Sequence, residues 1–145
     1  MCDRGLKATV EKKQWLFESL FGGTNPTRQA RFGEVWWVRD SAWGRLEPLR
    51  HLNDDAKLHR GLCIRPQARM MAFGTSKIAQ AKKSKSRVFE VPAGAYDGGD
   101  CPSAFLLDYA LPALWQDCKL NHEPALLRED LIEKLRLKLE KRGKQ

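Results

Sequence analysis

The fold class is first indicated by Gly-Glu-Val-Trp-Trp-Val at residues 33–38. β-Branched and aromatic residues fill this run, a glycine opens it and a charged pair follows it, which is typical of a β-strand. Further short apolar runs occupy residues 61–64, 69–73, 87–91 and 103–108. Five short strands separated by turns predict a compact β-barrel or sandwich rather than a parallel sheet.

An amphipathic helix is predicted on each side of these strands. Residues 8–21 place Trp15 and Leu20 on one apolar face, and two glycines follow that segment. In the tail, residues 123–144, leucines recur every four residues opposite a charged face, at Leu127, Leu131, Leu135 and Leu139. We therefore expect an N-terminal helix and connector in residues 1–32, and a barrel domain with a C-terminal helix in residues 33–145.

The length and charge of the chain limit the classes of function. Its 145 residues suit one hydrophobic core with appended segments. A net charge of +8 favours polyanionic partners, because each neutralised phosphate releases condensed counterions. Nucleic acid is thus a candidate partner, although many small basic proteins bind none.

The cysteines and the first residues bear on the location of the protein. The four cysteines show no C-x-x-C pair and no histidines at zinc-ligand spacing, so neither a disulfide framework nor a structural metal is indicated. The start lacks the apolar segment of a signal peptide, and no apolar stretch is long enough to span a membrane. We expect a cytoplasmic protein with no membrane partner.

A basic segment between two predicted strands is the first candidate binding site. It carries no acid and five cations, Lys77, Lys82, Lys83, Lys85 and Arg87. A hairpin loop with this charge would hold phosphates well, and the alternative is a loop that only aids solubility. Residues 39–59 show little periodicity and predict a long loop, in which Trp43 is the best candidate for stacking on a base.

The sequence offers few residues for catalysis. No paired carboxylates, glycine-rich phosphate loop or Ser/His/Asp arrangement is present, and we expect no metal and no cofactor. Metal-free attack of a ribose 2′-hydroxyl on its own phosphate needs a base, an acid and a cation. Arg60, Thr75 and, more weakly, His59 are the residue types that suit these roles.

Several stretches, taken in order, resemble the MazF/PemK toxin family. Residues 33–38 resemble its opening strand G-D-V-[WY]-x-V, and His-Arg-Gly-Leu-Cys-Ile at 59–64 resembles its next strand, H/V-R-P-x-L-V. Phe-Gly-Thr-Ser-Lys at 73–77 resembles the strand end that carries the family's active-site threonine. Residues 87–94 and 101–113 match the order and spacing of the final strands.

The resemblance implies an SH3-like barrel that forms a homodimer and binds single-stranded RNA in its interface grooves. Arg60 would match the family's catalytic arginine and Thr75 its active-site threonine, and the products would be a 2′,3′-cyclic phosphate and a 5′-hydroxyl. The protein would be the toxin of a type II toxin–antitoxin system, and a disordered acidic antitoxin peptide would block the groove. No cofactor is implied.

Some positions depart from the family pattern and keep alternatives open. Gly61 replaces a proline, and Tyr109 and Leu111 replace a polar glutamine and an arginine. One alternative is a non-catalytic barrel that inhibits a protein target, such as a gyrase or a host-defence factor. Another is a basic nucleic-acid-binding module without catalysis.

Overall fold

A computed structural model describes residues 29–118 and 124–142 of the chain. The predicted helix at 8–21 lies outside these residues. The strands are β1 (Glu34–Arg39), β2 (Leu58–Arg65), β3 (Met70–Thr75), β4 (Val88–Val91), β5 (Ser103–Pro112) and β6 (Ala125–Leu126). The α-helices are α1 (Asp40–Trp43), α2 (Ile78–Lys83) and α3 (Glu129–Arg142). Single 3₁₀ turns are found at Glu47–Leu49, Pro66–Ala68 and Trp115–Asp117.

The described strands form one curled antiparallel sheet in the order β4-β5-β3-β2-β1-β6. The protein is mainly β with a few helices, as the strand pattern predicted. The strand prediction is confirmed for β1 to β5, with small differences at their ends. β6 was not predicted, because a two-residue strand leaves no periodic pattern.

The connection between β3 and β4 differs from the prediction. Both strands pair with β5, which lies between them, so the basic segment does not join the two arms of a hairpin. Residues Ile78–Lys83 of this segment form α2, whose Ala81 is buried in the core. The segment is therefore a helical crossover that begins with Lys77, two residues after the end of β3.

Both faces of the sheet are covered by apolar packing. One face carries the side chains of Trp36, Val38 and Met71, with Trp43 of α1 packed on them. The other face carries Leu62 and other apolar side chains beneath the C-terminal part of the chain. Alternate residues of each strand contribute to the apolar packing on opposite faces, because side chains on a strand alternate between faces.

The C-terminal helix is confirmed, and its apolar stripe packs as predicted. Leu131 and Leu135 of α3 are buried against the sheet, and Leu127 joins them from just before the helix. The helix begins at Glu129 and not near residue 123, because Ala125–Leu126 pairs with β1 as β6. Among the described residues, no helix is both long and apolar enough to cross a membrane.

The expected long loop at 39–59 contains ordered elements. Asp40–Trp43 forms α1 directly after β1, and a 3₁₀ turn follows at Glu47–Leu49. Cys63, which the sequence places in an apolar run, and Cys118 are both free and buried.

Candidate active site

His59 and Thr75 lie on one face of the sheet, where β2 begins and β3 ends. Gly61 is paired with Phe73 in this antiparallel ladder, so continuing the register by two residues sets Thr75 opposite His59. Both side chains share the face of Phe73, whose ring centroid lies 5.0 Å from that of the imidazole. The fold therefore brings together two of the three catalytic candidates predicted from the sequence.

The His59 imidazole is hydrogen-bonded to a buried carboxylate. Its Nδ1 lies 2.6 Å from Oδ1 of Asp40. The Asp40 side chain is only 4% exposed, whereas the His59 side chain is 34% exposed. Burial of a carboxylate is costly unless it is hydrogen-bonded, so this contact stabilises Asp40 in place. The pair is thus a fixed unit with its imidazole open to solvent.

Asp40 reaches His59 because β1 and β2 keep their register beyond the end of β1. Val38 is paired with His59, and the Asp40 amide donates a hydrogen bond to the Lys57 carbonyl at 2.9 Å. Asp40 therefore lies two residues beyond Val38 and diagonal to His59 on the same face. Sequence analysis missed Asp40, because the register that aligns these residues is not visible in the sequence of 39–59.

Arg60 points to the opposite face of the sheet from His59. It is paired with Trp37 and is buried, and its guanidinium carbon lies 5.0 Å from the centroid of the Trp37 ring. The same carbon is 5.8 Å from the Tyr96 ring centroid, and Nη1 lies 3.5 Å from Ser103 Oγ. Adjacent strand residues face opposite sides, so Arg60 does not join His59 in one site.

The prediction that Trp43 stacks on a base is wrong, because its side chain is fully buried. Its ring meets Phe73 edge-on, with the centroids 5.1 Å apart. Trp43 belongs to α1, which packs on the sheet, whereas the polar neighbours in the sequence suggested a solvent-exposed loop. A Cβ atom added to Gly61 would lie 3.1 Å from Cζ2 of Trp43, so the glycine leaves room for this indole.

Two of the five predicted RNA-binding cations are held by carboxylates. Arg87 binds Asp108 through Nη2 at 2.8 Å and through Nε at 3.1 Å, and the Arg87 amide donates to the same carboxylate. Nη1 also approaches the Lys138 carbonyl of α3 at 3.4 Å. Lys82 Nζ lies 3.1 Å from Glu90. Arg87 therefore joins β4, β5 and α3, and its charge is already neutralised.

The other three cations of the segment, Lys77, Lys83 and Lys85, are exposed. No ion pair to a carboxylate is present for them within the described part of the chain. Lys77 adjoins the site directly, because its amide donates a hydrogen bond to Thr75 Oγ1 at 3.1 Å. Lys77 thus gives the edge of the site a positive charge that no ion pair among the described residues offsets.

The two free cysteines are poor nucleophiles. Burial raises the pKa of the Cys63 thiol to about 11 and that of Cys118 to about 12. A thiol must lose its proton to attack, so neither is reactive at neutral pH. Across residues 29–118 and 124–142, no group of three or more His, Cys, Asp or Glu side chains is arranged to hold a metal ion.

Comparison with known proteins leaves the family open. No family model matches the chain. No curated protein matches it either. The resemblance to MazF/PemK toxins therefore stays a prediction from the order and spacing of the motifs.

Proposed function

We propose that this protein is a metal-independent endoribonuclease that cuts single-stranded mRNA, and that it is the toxin of a toxin–antitoxin pair. The proposal rests mainly on one observation: the exposed Lys77 lies two residues after Thr75 at the end of β3, and its amide donates a hydrogen bond to the Thr75 hydroxyl oxygen. An RNA strand with a phosphate bound to Lys77 would pass beside the Thr75 hydroxyl and the His59 imidazole.

We also propose the finer fold type, an SH3-like barrel of the MazF/PemK kind. The support is the order of elements, in which a three-strand meander is followed by a basic crossover, a β4–β5 hairpin and an amphipathic C-terminal helix. With this fold type we also propose that the protein forms a homodimer and that an acidic antitoxin peptide binds it. The unneutralised lysines fit such a peptide as well as they fit RNA.

The proposed reaction uses the RNA's own nucleophile. The 2′-hydroxyl oxygen attacks the adjacent phosphorus, the P–O5′ bond breaks, and the products are a 2′,3′-cyclic phosphate and a 5′-hydroxyl. The protein must accept the 2′ proton and stabilise negative charge on the phosphoryl oxygens. The lysines and the Thr75 hydroxyl suit the second task. Thr75 Oγ1 accepts from the Lys77 amide, which leaves its O–H to donate to a phosphoryl oxygen.

A second candidate function is inhibition of a protein target without catalysis. The observation that favours it is the exposure of large apolar side chains, with Leu114, Leu126 and Leu137 exposed by 48%, 39% and 52%. Large apolar side chains at a protein surface can contact a partner protein. The departures at Tyr109 and Leu111 do not add to this candidate, because Leu111 is buried and both side chains pack in the core.

Incubation of the purified protein with a long single-stranded RNA in EDTA, followed by mapping of the cut ends, tests the proposal. We expect discrete cuts with 2′,3′-cyclic phosphate ends, and no cuts in the same RNA carrying 2′-O-methyl groups. Thr75→Val removes only the hydroxyl and should slow cleavage about 10- to 100-fold. Thr75→Ser is the matched control and should restore most of the rate.

The other outcomes separate the alternatives. RNA that binds with steep salt dependence but stays intact would contradict catalysis and favour a binding module. RNA that neither binds nor is cut would contradict both the endoribonuclease and the nucleic-acid-binding module, and it would favour the inhibitor of a protein target.

A further inference from the structure

The pairing of Asp40 with His59 identifies the group that takes the proton in the proposed cleavage. We infer that His59 is the general base that accepts the proton of the ribose 2′-hydroxyl, and that Asp40 is the residue that positions it. This inference rests on the proposed function and adds a role for two residues. Nothing in the strand pattern or in the motif resemblance assigned a role to Asp40.

The hydrogen bond sets which ring nitrogen can act. The carboxylate of Asp40 can only accept, so His59 Nδ1 carries the hydrogen in their 2.6 Å contact. A neutral imidazole that donates from Nδ1 has its lone pair on Nε2. Because 34% of the His59 side chain is exposed and Asp40 is buried, Nε2 is the nitrogen left for a substrate. The pair has the arrangement of a base and the acid that orients it.

The surroundings of the imidazole hold it in this orientation. Phe73 of β3 lies against the ring at 5.0 Å between centroids, and Val38 of β1 is its cross-strand neighbour. Trp43 of α1 packs beneath and places its Nε1 3.5 Å from the His59 carbonyl. Asp40 is the charged group hydrogen-bonded to the ring, whereas Phe73, Val38 and Trp43 are uncharged.

The position of Thr75 connects this pair to the substrate. It lies opposite His59 in the continued β2–β3 register, and Lys77 follows two residues later. A phosphate held by Lys77 and the Thr75 hydroxyl would have the ribose bonded to it through O3′, which carries the attacking 2′-hydroxyl, next to the imidazole. Arg60 has no such position, because it is stacked on Trp37 on the other face of the sheet.

The proton balance of the step is complete. As O2′ bonds to phosphorus, its proton passes to His59 Nε2, and the imidazolium is stabilised by the Asp40 carboxylate. The P–O5′ bond breaks with its electron pair on O5′, which takes a proton from water. The protonated His59 then returns its proton to the hydroxide that this water leaves. The step is a transesterification with no oxidation or reduction, and the imidazole ends neutral.

The test measures single-turnover cleavage of a single-stranded RNA in EDTA, from about pH 5 to pH 9, for the wild type and matched variants. His59→Gln should lower the rate about 100- to 10,000-fold and abolish the fall in rate at acidic pH. The control His51→Gln changes an exposed histidine that has no contact with Asp40 among the hydrogen bonds of the described residues, and it should cleave at the wild-type rate. Affinity for a 2′-O-methyl RNA, which cannot react, should stay within about threefold in every variant.

Asp40 is tested as a positioning residue by how the loss divides between kcat and KM. Asp40→Asn should lower kcat at least about tenfold with KM nearly unchanged, because an amide can stabilise the wrong tautomer of His59. Asp97→Asn, at an exposed position, is the matched control. If Asp40→Asn does not fold, His59→Ala provides a second test of the site. Imidazole added to the solution should restore part of the lost cleavage rate of His59→Ala, because it can enter from the exposed side of the site.

The possible failures differ from one another. A wild-type protein that leaves the RNA intact contradicts the proposed function itself. Wild-type cleavage that is matched by His59→Gln, with the same pH profile, contradicts only this inference and leaves the nuclease standing. Loss of affinity for 2′-O-methyl RNA in His59→Gln, in proportion to its loss of rate, would show a binding role and also overturn the inference.

Discussion

Trp37 and Arg60 face each other across β1 and β2, with the guanidinium carbon 5.0 Å from the centroid of the indole ring. The Tyr96 ring lies 5.8 Å from the same carbon, so two aromatic rings surround one buried cation. Nε of Arg60 has no hydrogen-bond partner in the described residues. Aromatic faces attract cations, and more strongly when water is excluded. Arg60 therefore contributes to the packing between the sheet and residue 96.

Substitution of Arg60 should affect stability more than chemistry. Arg60→Ala should lower the free energy of unfolding by about 1–3 kcal/mol, because it removes both ring contacts and their packing. Urea denaturation measures this loss, and Arg60→Lys is the comparison that keeps the charge without the planar stacking group. A stable Arg60→Ala protein that has lost about 100-fold in cleavage rate would instead place Arg60 in the reaction.

The unneutralised lysines should dominate RNA affinity. Replacement of Lys77, Lys83 and Lys85 by glutamine should weaken binding and flatten its salt dependence. For single strands each phosphate contact adds about 0.7 to the slope of log affinity against log salt, so the slope should fall by about 2. Fluorescence anisotropy over a salt series measures it. Lys134→Gln on α3 is the control, and an equal effect there would show a diffuse charge effect without a site.

Arg87 should behave as a structural residue in spite of its place in the basic segment. Arg87→Gln breaks the bidentate contact with Asp108 and should lower the free energy of unfolding by about 1–2 kcal/mol. RNA affinity of the folded protein should change little. The two readouts are thermal unfolding and anisotropy. A large loss of RNA affinity at unchanged stability would show instead that Arg87 binds the RNA.

Gly61 should tolerate neither alanine nor proline. An alanine Cβ would lie 3.0 Å from Met71 Cβ and 3.1 Å from Trp43 Cζ2, so Gly61→Ala should cost about 1–3 kcal/mol of stability. Gly61→Pro should cost more, because β2 is flanked by β1 and β3 and proline removes an amide donor from an interior strand. Urea denaturation ranks the two variants. A proline variant as stable as the wild type would contradict the register assigned to β2.

Strands were the part of the fold most visible in the sequence. The β-branched and aromatic runs at 33–38 and 87–91 correspond to β1 and β4, and the leucine stripe of the tail corresponds to α3. These patterns are local, since a strand or helix that packs in the core shows this in its own apolar residues. Neither α2 nor β6 was predicted. Their positions depend on contacts with distant parts of the chain, and short elements carry little periodicity.

The site was less predictable for the same physical reason. Asp40 meets His59 across 19 residues, and Asp108 neutralises Arg87 across 21 residues. The net charge of the chain includes both Asp108 and Arg87, but it does not show that these two side chains pair. Trp43 was misassigned because its sequence neighbours are polar, whereas its burial is decided by α1 packing on the sheet. His59 and Arg60 are neighbours in the sequence, but the alternation of side chains along β2 directs them to opposite faces of the sheet.

The position of the Asp40–His59 pair within the β1–β2–β3 meander also bears on how this protein can diversify. Asp40, His59 and Thr75 all come from one continuous stretch of the chain in which each strand is hydrogen-bonded to the next. The lysines of the crossover, the β4–β5 hairpin and α3 are all supplied by later residues. Under the proposed function, a gene that exchanged or mutated its second half could thus acquire a new target sequence or a new neutralising partner while it kept the Asp40–His59 pair.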